Sequence, residues 1–153
     1  MKTLKLTLVC ILSLMLSQSV LAQNTQEEVR YAIELADAEY KDFVRFNMNF
    51  TKQESDAFWP ILNEYLNKRD EIFNKEVNLF LKDYTKLNNE QAKTFMSKLV
   101  KYDNQMDRLQ KKYFKKIMKV LPAKKFLRFS QIDHFIETAR DFKLSYSLPW
   151  VKA

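Results

Sequence analysis

The sequence predicts an all-α protein, and three observations carry that prediction. There is no glycine among its 153 residues, apolar side chains recur at steps of three and four along four segments, and two of those segments open on a capping box. Tight β-hairpins depend on residues that tolerate positive φ, so a glycine-free chain is poor material for a sheet. The same absence excludes the phosphate-cradling Walker loop, the dinucleotide GxGxxG turn and the GxSxG nucleophile elbow, each of which needs glycine for close backbone approach. The length suits one domain.

The first predicted helix covers roughly 25–47. Val29, Ile33, Ala36, Tyr40, Phe43 and Val44 fall near one stripe, and Glu27 and Glu28 suit the positive end of the helix dipole. The second starts at Thr51-Lys52-Gln53-Glu54, where the hydroxyl can take the Glu54 amide and the Glu54 carboxylate can reach back. Phe58, Leu62, Tyr65, Ile72 and Phe80 carry it to about Asp83. Pro60 removes one hydrogen bond and crowds the preceding turn, which predicts a kink near 56–59 or a separate first turn. The third opens at Asn88-Asn89-Glu90-Gln91, a second capping box, and holds the clearest period in the chain, from Ala92 through Phe95, Leu99, Tyr102, Met106, Leu109, Tyr113 and Ile117 to Val120. About 30 residues at roughly 1.5 Å each make a long rod, hence an elongated shape. The fourth runs from Pro122, placed at a first helical position, to about Phe142, with Phe126, Phe129, Ile136 and Ala139 on one side. A tail from Leu144 follows. The short 84–87 link makes helices two and three an antiparallel hairpin.

The N-terminus reads as an address. Lys2 and Lys5 precede an apolar run from Leu6 to Leu16, and Val20-Leu21-Ala22 offers small residues at the exit. This is the pattern of a secretory signal cut after Ala22. A membrane anchor is the alternative, but the run is short for a bilayer and Ser13, Ser17, Gln18 and Ser19 interrupt its far side. Cys10 lacks the small residues before it that a lipoprotein site needs. The domain organisation expected is therefore a cleaved segment 1–22 and a single helical domain 23–153, soluble and exported. Loss of Lys2 and Lys5 leaves 24 basic against 19 acidic residues, a net charge of +5, and no cysteine. An exported domain without disulfides must be held by packing alone, and all twelve Phe, all seven Tyr and both Trp lie beyond residue 22.

The two helix starts, Phe50-Thr51-Lys52-Gln53-Glu54 and Leu87-Asn88-Asn89-Glu90-Gln91, resemble the repeated Leu-Thr-x-x-Gln motif of the extracytoplasmic Spy/CpxP family of stress proteins. The first copy has Phe for Leu and Glu for Gln, and the second has Asn for Thr. Each departure keeps an apolar residue, an oxygen-bearing cap, and Glu or Gln three residues on. Phe58-Trp59-Pro60 with Asn63-Glu64-Tyr65 is similar to the FWP…Y segment of Bacteroidetes-type members. Leu121-Pro122-Ala123-Lys124-Lys125 with Arg128 and Gln131-Ile132-Asp133 resembles their LPAKK…R…Q stretch, with Asp for Glu, and Ser147-Leu148-Pro149-Trp150-Val151 is similar to their IPLV ending. The likeness covers most of 43–151. It implies a bent four-helix cradle, often paired as an antiparallel homodimer. It also implies a role as an ATP-independent periplasmic chaperone, an inhibitor of envelope stress sensors, or a metal-responsive regulator.

The residues narrow these roles. Lys111, Lys112, Lys115, Lys116, Lys119, Lys124, Lys125 and Arg128 cluster around the end of the third helix, with Tyr113, Phe114, Met118, Phe126 and Phe129 between them. Such a face would attract acidic unfolded segments over long range and hold them by weak apolar contact. The same residues also read as a solvated lysine face over an ordinary aromatic core. Metal ligands are scarce: His134 is the only histidine and reads as a surface or packing residue, while Met96 and Met106 fit the core stripe. No serine stands in a nucleophile context, and Asp70/Glu71 and Asp103/Asp107 have the spacing of solvated helix carboxylates. The chain reads as a non-enzyme without a cofactor. Export argues against nucleic acid, leaving unfolded or envelope proteins as partners. A second class of reading is a regulator docked on a membrane-embedded sensor or anti-sigma factor, and a third a plain structural module. Trp59 reads as a core anchor, and Trp150 as a tail residue that touches a membrane surface or docks back on the helices. N-terminal sequencing of the exported product should begin at Gln23; a product retaining Met1 would remove the export reading.

Overall fold

The computed structural model describes residues 25–81 and 83–151. The expected signal segment 1–22, with Cys10, lies outside the described residues. Four α-helices account for nearly all of what is described: α1 Thr25–Met48, α2 Lys52–Phe80, α3 Asn89–Val120 and α4 Ala123–Ser147, with a 3-10 turn at Tyr84–Lys86. The all-α class is as the sequence predicts. The chain falls into two compact units that divide inside α1, the first ending at Glu39 and the second beginning at Tyr40. In the first, Ala36, Ala38 and Glu39 are exposed. Everything below concerns the second.

Local chemistry explains where these helices start and stop. The Thr51 hydroxyl accepts from the Glu54 amide (3.3 Å), and a Glu54 carboxylate oxygen accepts from the Thr51 amide (2.8 Å). Asn88 and Gln91 repeat the exchange at 2.9 and 3.0 Å. α1 ends at Asn49, whose φ of 47° is left-handed. Glycine is the usual residue at such a helix exit and asparagine its commonest substitute, so Asn49 supplies the turn that a glycine-free chain must find elsewhere. Two residues earlier, the Asn47 side chain donates to the Phe43 carbonyl (2.8 Å) in the last turns of the helix. Pro60 stands inside α2 without dividing it, so the separate first turn does not occur.

The link between α2 and α3 makes them an antiparallel hairpin. Phe80 meets Phe95 near the turn (5.3 Å between ring centroids), and Tyr65 meets Tyr113 farther away (5.7 Å). The core then fills from all four helices: Tyr40, Val44 and Met48 of α1, Phe58, Leu62, Tyr65 and Leu66 of α2, Tyr113 and Ile117 of α3, and Leu121, Phe129 and Ile132 on and before α4. Every position of the predicted α3 stripe is buried or half-buried. Three expected core positions of this unit are not: Phe43, Met96 and Ala139 are exposed. Helical spacing alone cannot distinguish the edge of a stripe from its centre, and these residues sit beyond the edge. Pro122 precedes α4 rather than opening it, its carbonyl taking the Phe126 amide (2.9 Å). The helix then runs five residues past the expected end, to Ser147.

A polar cluster lies inside this core. Asp133, 1% exposed, accepts from the Tyr40 hydroxyl (2.7 Å) and the Gln110 amide nitrogen (3.1 Å). It thereby joins α1, α3 and α4. Arg69 of α2 is also buried, with its guanidinium 5.4 Å from the Tyr40 ring centroid and ion-paired to Glu137 (3.5 Å). Burial pushes the Asp133 carboxyl up to about 6, the two hydrogen bonds and Arg69 holding the rise in check while Glu137 adds to it. The folded state therefore binds this proton more tightly than the unfolded chain, whose aspartates titrate near 3.8. The charge on Asp133 is a cost at neutral pH; that cost begins to fall as pH drops through about 6 and is gone only below the unfolded value of 3.8.

Two predictions follow from these contacts. Thr51→Ala and Asn88→Ala should each lower the unfolding free energy by about 1 kcal/mol in urea titrations; no loss at either would show that neither box supports its helix. Asp133→Asn keeps an acceptor for Tyr40 but carries no charge. Its stability relative to the native chain should be greater at pH 7.5 than at pH 5 by about 1–1.5 kcal/mol, roughly half of the full effect of a two-unit shift. Equal differences at both pH values in thermal melts would refute the buried-charge account.

Candidate functional site

The eight basic residues expected to form one face separate into two groups. Lys125 is half-buried and structural: its ammonium donates to the Asn49 carbonyl (3.0 Å) and pairs with Glu54. Lys125 and the capping bonds together hold the Glu54 carboxyl below the usual glutamate range, with Lys125 the larger influence. Lys116 pairs with Glu64 (3.1 Å) and lies 4.4 Å from the Tyr113 ring centroid. Lys112 approaches the same ring at 5.7 Å, and Lys111 reaches Asp107 at 3.5 Å. Tyr113 donates to Glu64 (2.6 Å), and burial first and Glu64 second push its hydroxyl up to about 12. The second group is Lys115, Lys119, Lys124 and Arg128, all exposed and without an ion pair among the described residues.

The aromatic residues expected between the cations are not a surface. Tyr113 and Phe129 are fully buried, and Phe114 and Phe126 are half-buried against the core. Phe114 packs on Phe126 and Phe129 at 5.9 and 5.4 Å. Three- and four-residue spacing turns these rings toward the hairpin, and the lysines between them turn outward. Met118, at 53% exposure, is the exception on α3.

Exposed apolar area lies elsewhere. Between the end of α1 and the outer face of α4 runs a groove of about 530 Å³, with Phe43 and Asn47 on one side and Leu127, Gln131 and Phe135 on the other. Phe43 and Phe135 stack at 6.0 Å, and Leu127 and Phe135 are 60% and 62% exposed. Lys124 and Arg128 line the same groove. Two of the expected binding residues thus border the apolar surface, and Lys115, Lys119 and Met118 remain exposed on α3. The sequence reading missed Phe43, Leu127, Gln131 and Phe135 as surface. The signal was present: α4 carries Phe126, Phe129, Ile132 and Ile136 on one side and Leu127, Phe135 and Phe142 on another. A helix apolar on two sides can bury only one against a single neighbour.

Several residues of the two helix-start segments and the Phe58-Trp59-Pro60 stretch pack locally. Phe50 packs on Phe58 (4.6 Å) and edge-on against Trp59 (6.0 Å), and Arg45 lies 5.1 Å from the Trp59 ring. Trp59 is half-buried against the core, as expected, and Leu87 is half-buried just before the α3 cap. In the tail, the Tyr84 hydroxyl donates to the Pro149 carbonyl (2.7 Å), so the tail docks on the 3-10 turn while Trp150 stays 86% exposed. His134 is exposed. Among the described residues no group of three or more His, Cys, Asp or Glu is placed to hold a metal, and no helix is long and apolar enough to cross a membrane.

No protein-family model, curated protein or solved structure matches this chain.

Proposed function

We propose that this chain is an exported, non-catalytic binding protein of the Spy/CpxP type that holds acidic, partly unfolded segments of envelope proteins without ATP. The observation that carries the reading is the α1–α4 groove, where Phe43, Leu127 and Phe135 stand exposed beside Lys124 and Arg128. The apolar floor offers contact that any unfolded chain can use, and burial there gains on the order of 25 cal/mol per Å². The unpaired cations supply long-range attraction for acidic segments, and salt screens it over about 10 Å at 0.1 M. The net charge of +5 on residues 23–153 favours the same partners. The periplasm is the compartment that the N-terminal pattern supports, and antiparallel pairing of two copies is the assembly that the family resemblance supports.

The test is aggregation of a chemically denatured acidic protein diluted into buffer with an equimolar amount of the purified chain, without ATP. Aggregation should fall by at least half at low salt and recover substantially at 0.5 M. A Leu127→Ser/Phe135→Ser variant should lose most of the protection, and so should Lys124→Glu/Arg128→Glu. Protection absent at both salt concentrations, or undiminished in both variants, would overturn the proposal. Saturable capture of one membrane-embedded sensor in its place would favour the regulator reading.

A further inference from the structure

On a strongly basic chain, one cavity has an acidic lining. A cavity of about 690 Å³ lies among α2, α3, the last turns of α4 and the tail, within the range that small-molecule sites occupy. Its apolar walls are Phe73, Val77, Phe80, Met106 and Leu148. Among the described residues five carboxylates line it, Glu76, Asp103, Asp107, Glu137 and Asp141, against one cation, Arg140. That cation is already committed, to Glu137 at 3.2 Å and to Asp141 at 3.1 Å. Asp107 has Lys111 at 3.5 Å. Glu76 and Asp103 have neither a hydrogen bond nor an ion pair among the described residues. They approach from α2 and α3 closely enough that Asp103, after burial, raises the Glu76 carboxyl above the ordinary glutamate range, with Arg140 opposing and Asp141 assisting. The tail is pinned beside this opening by the Tyr84–Pro149 hydrogen bond.

We propose that this cavity binds a small lipophilic cation, an apolar or aromatic body carrying one positive charge, with the charge between Glu76 and Asp103 and the body against Phe73, Phe80 and Met106. Charge complementarity selects the ligand. Two unpaired carboxylates lining one partly apolar cavity repel, and a monocation seated near both relieves them at once. The cavity already accommodates one such contact, since the Arg140 guanidinium lies 5.2 Å from the Phe73 ring centroid, a cation over an aromatic face. Its volume and its walls on several sides fit a compact molecule better than an extended chain. This site shares no residue with the α1–α4 groove, so neither proposal depends on the other.

Tetraphenylphosphonium is a suitable probe, because its charge does not vary with pH and an ion-selective electrode reads its free concentration directly. The purified chain should bind it saturably at one site per chain. Glu76→Gln with Asp103→Asn should weaken binding at least tenfold with the far-UV spectrum unchanged. Met106→Lys, which places the protein's own cation in the cavity, should abolish it. Absence of saturable binding by the native chain, or undiminished binding in either folded variant, would overturn the proposal. Tetraphenylborate, of matched size and opposite charge, should be indifferent to both changes.

Discussion

One carboxylate holds the corner on which the helices turn. Glu54 takes the Thr51 amide and, through the same oxygen, the ammonium of Lys125, which also reaches the Asn49 carbonyl. The start of α2, the exit of α1 and the first turn of α4 therefore converge on a single acceptor. A capping box normally serves its own helix and contributes about 1 kcal/mol. Here its acidic member also accepts a charge-assisted bond from a residue 71 positions away. Asn49 makes the corner sterically feasible by adopting the left-handed turn, and Phe50, Phe58 and Trp59 pack beside it.

This convergence determines which basic residues are available for anything else. Lys125 is committed to the corner, and Lys116 to Glu64 and the Tyr113 ring. Exposed i,i+4 pairs such as Lys111–Asp107 contribute little to stability and break readily. The cations left without partners border exposed methionine, leucine and phenylalanine side chains rather than the aromatic core. Binding capacity on this surface therefore depends less on the number of lysines than on which of them the fold has not already used. The acidic cavity shows the complement, since its one arginine is consumed and its carboxylates are in excess.

The helices and their starts were legible in the sequence because the chemistry that sets them is local. A hydroxyl or amide three residues before a Glu or Gln reads directly, and the α3 stripe is long enough to average out exceptions. The inward side of α4 was legible, since Phe126, Phe129 and Ile136 are buried or half-buried as expected, but its second apolar side and the outward turn of Phe43 at the end of α1 were not. Phe43 has the spacing of a core residue and lies in the groove. Asp133, which enters the sequence reading only through the family likeness, is fully enclosed. Both outcomes depend on partners distant in sequence, Phe135 for the first and Tyr40 and Gln110 for the second. The basic cluster was legible as a composition, but its division into committed and free members needed Glu54, Glu64 and Asn49 to be placed in space.

The two-sided character of α4 has a consequence for how the chain reaches this arrangement. Hydrophobic attraction alone barely distinguishes the native seating of α4 from one rolled about its axis, with Leu127 and Phe135 inward and Phe129 and Ile132 outward. The polar contacts do distinguish them, because the rolled seating would withdraw Asp133 from Tyr40 and Gln110 and Lys125 from Glu54. Asp133, whose enclosure costs stability at neutral pH, thus supplies an orientational key. A chain lacking that key would keep the local signals that start its helices and lose the contact that selects which apolar side of the last one turns inward.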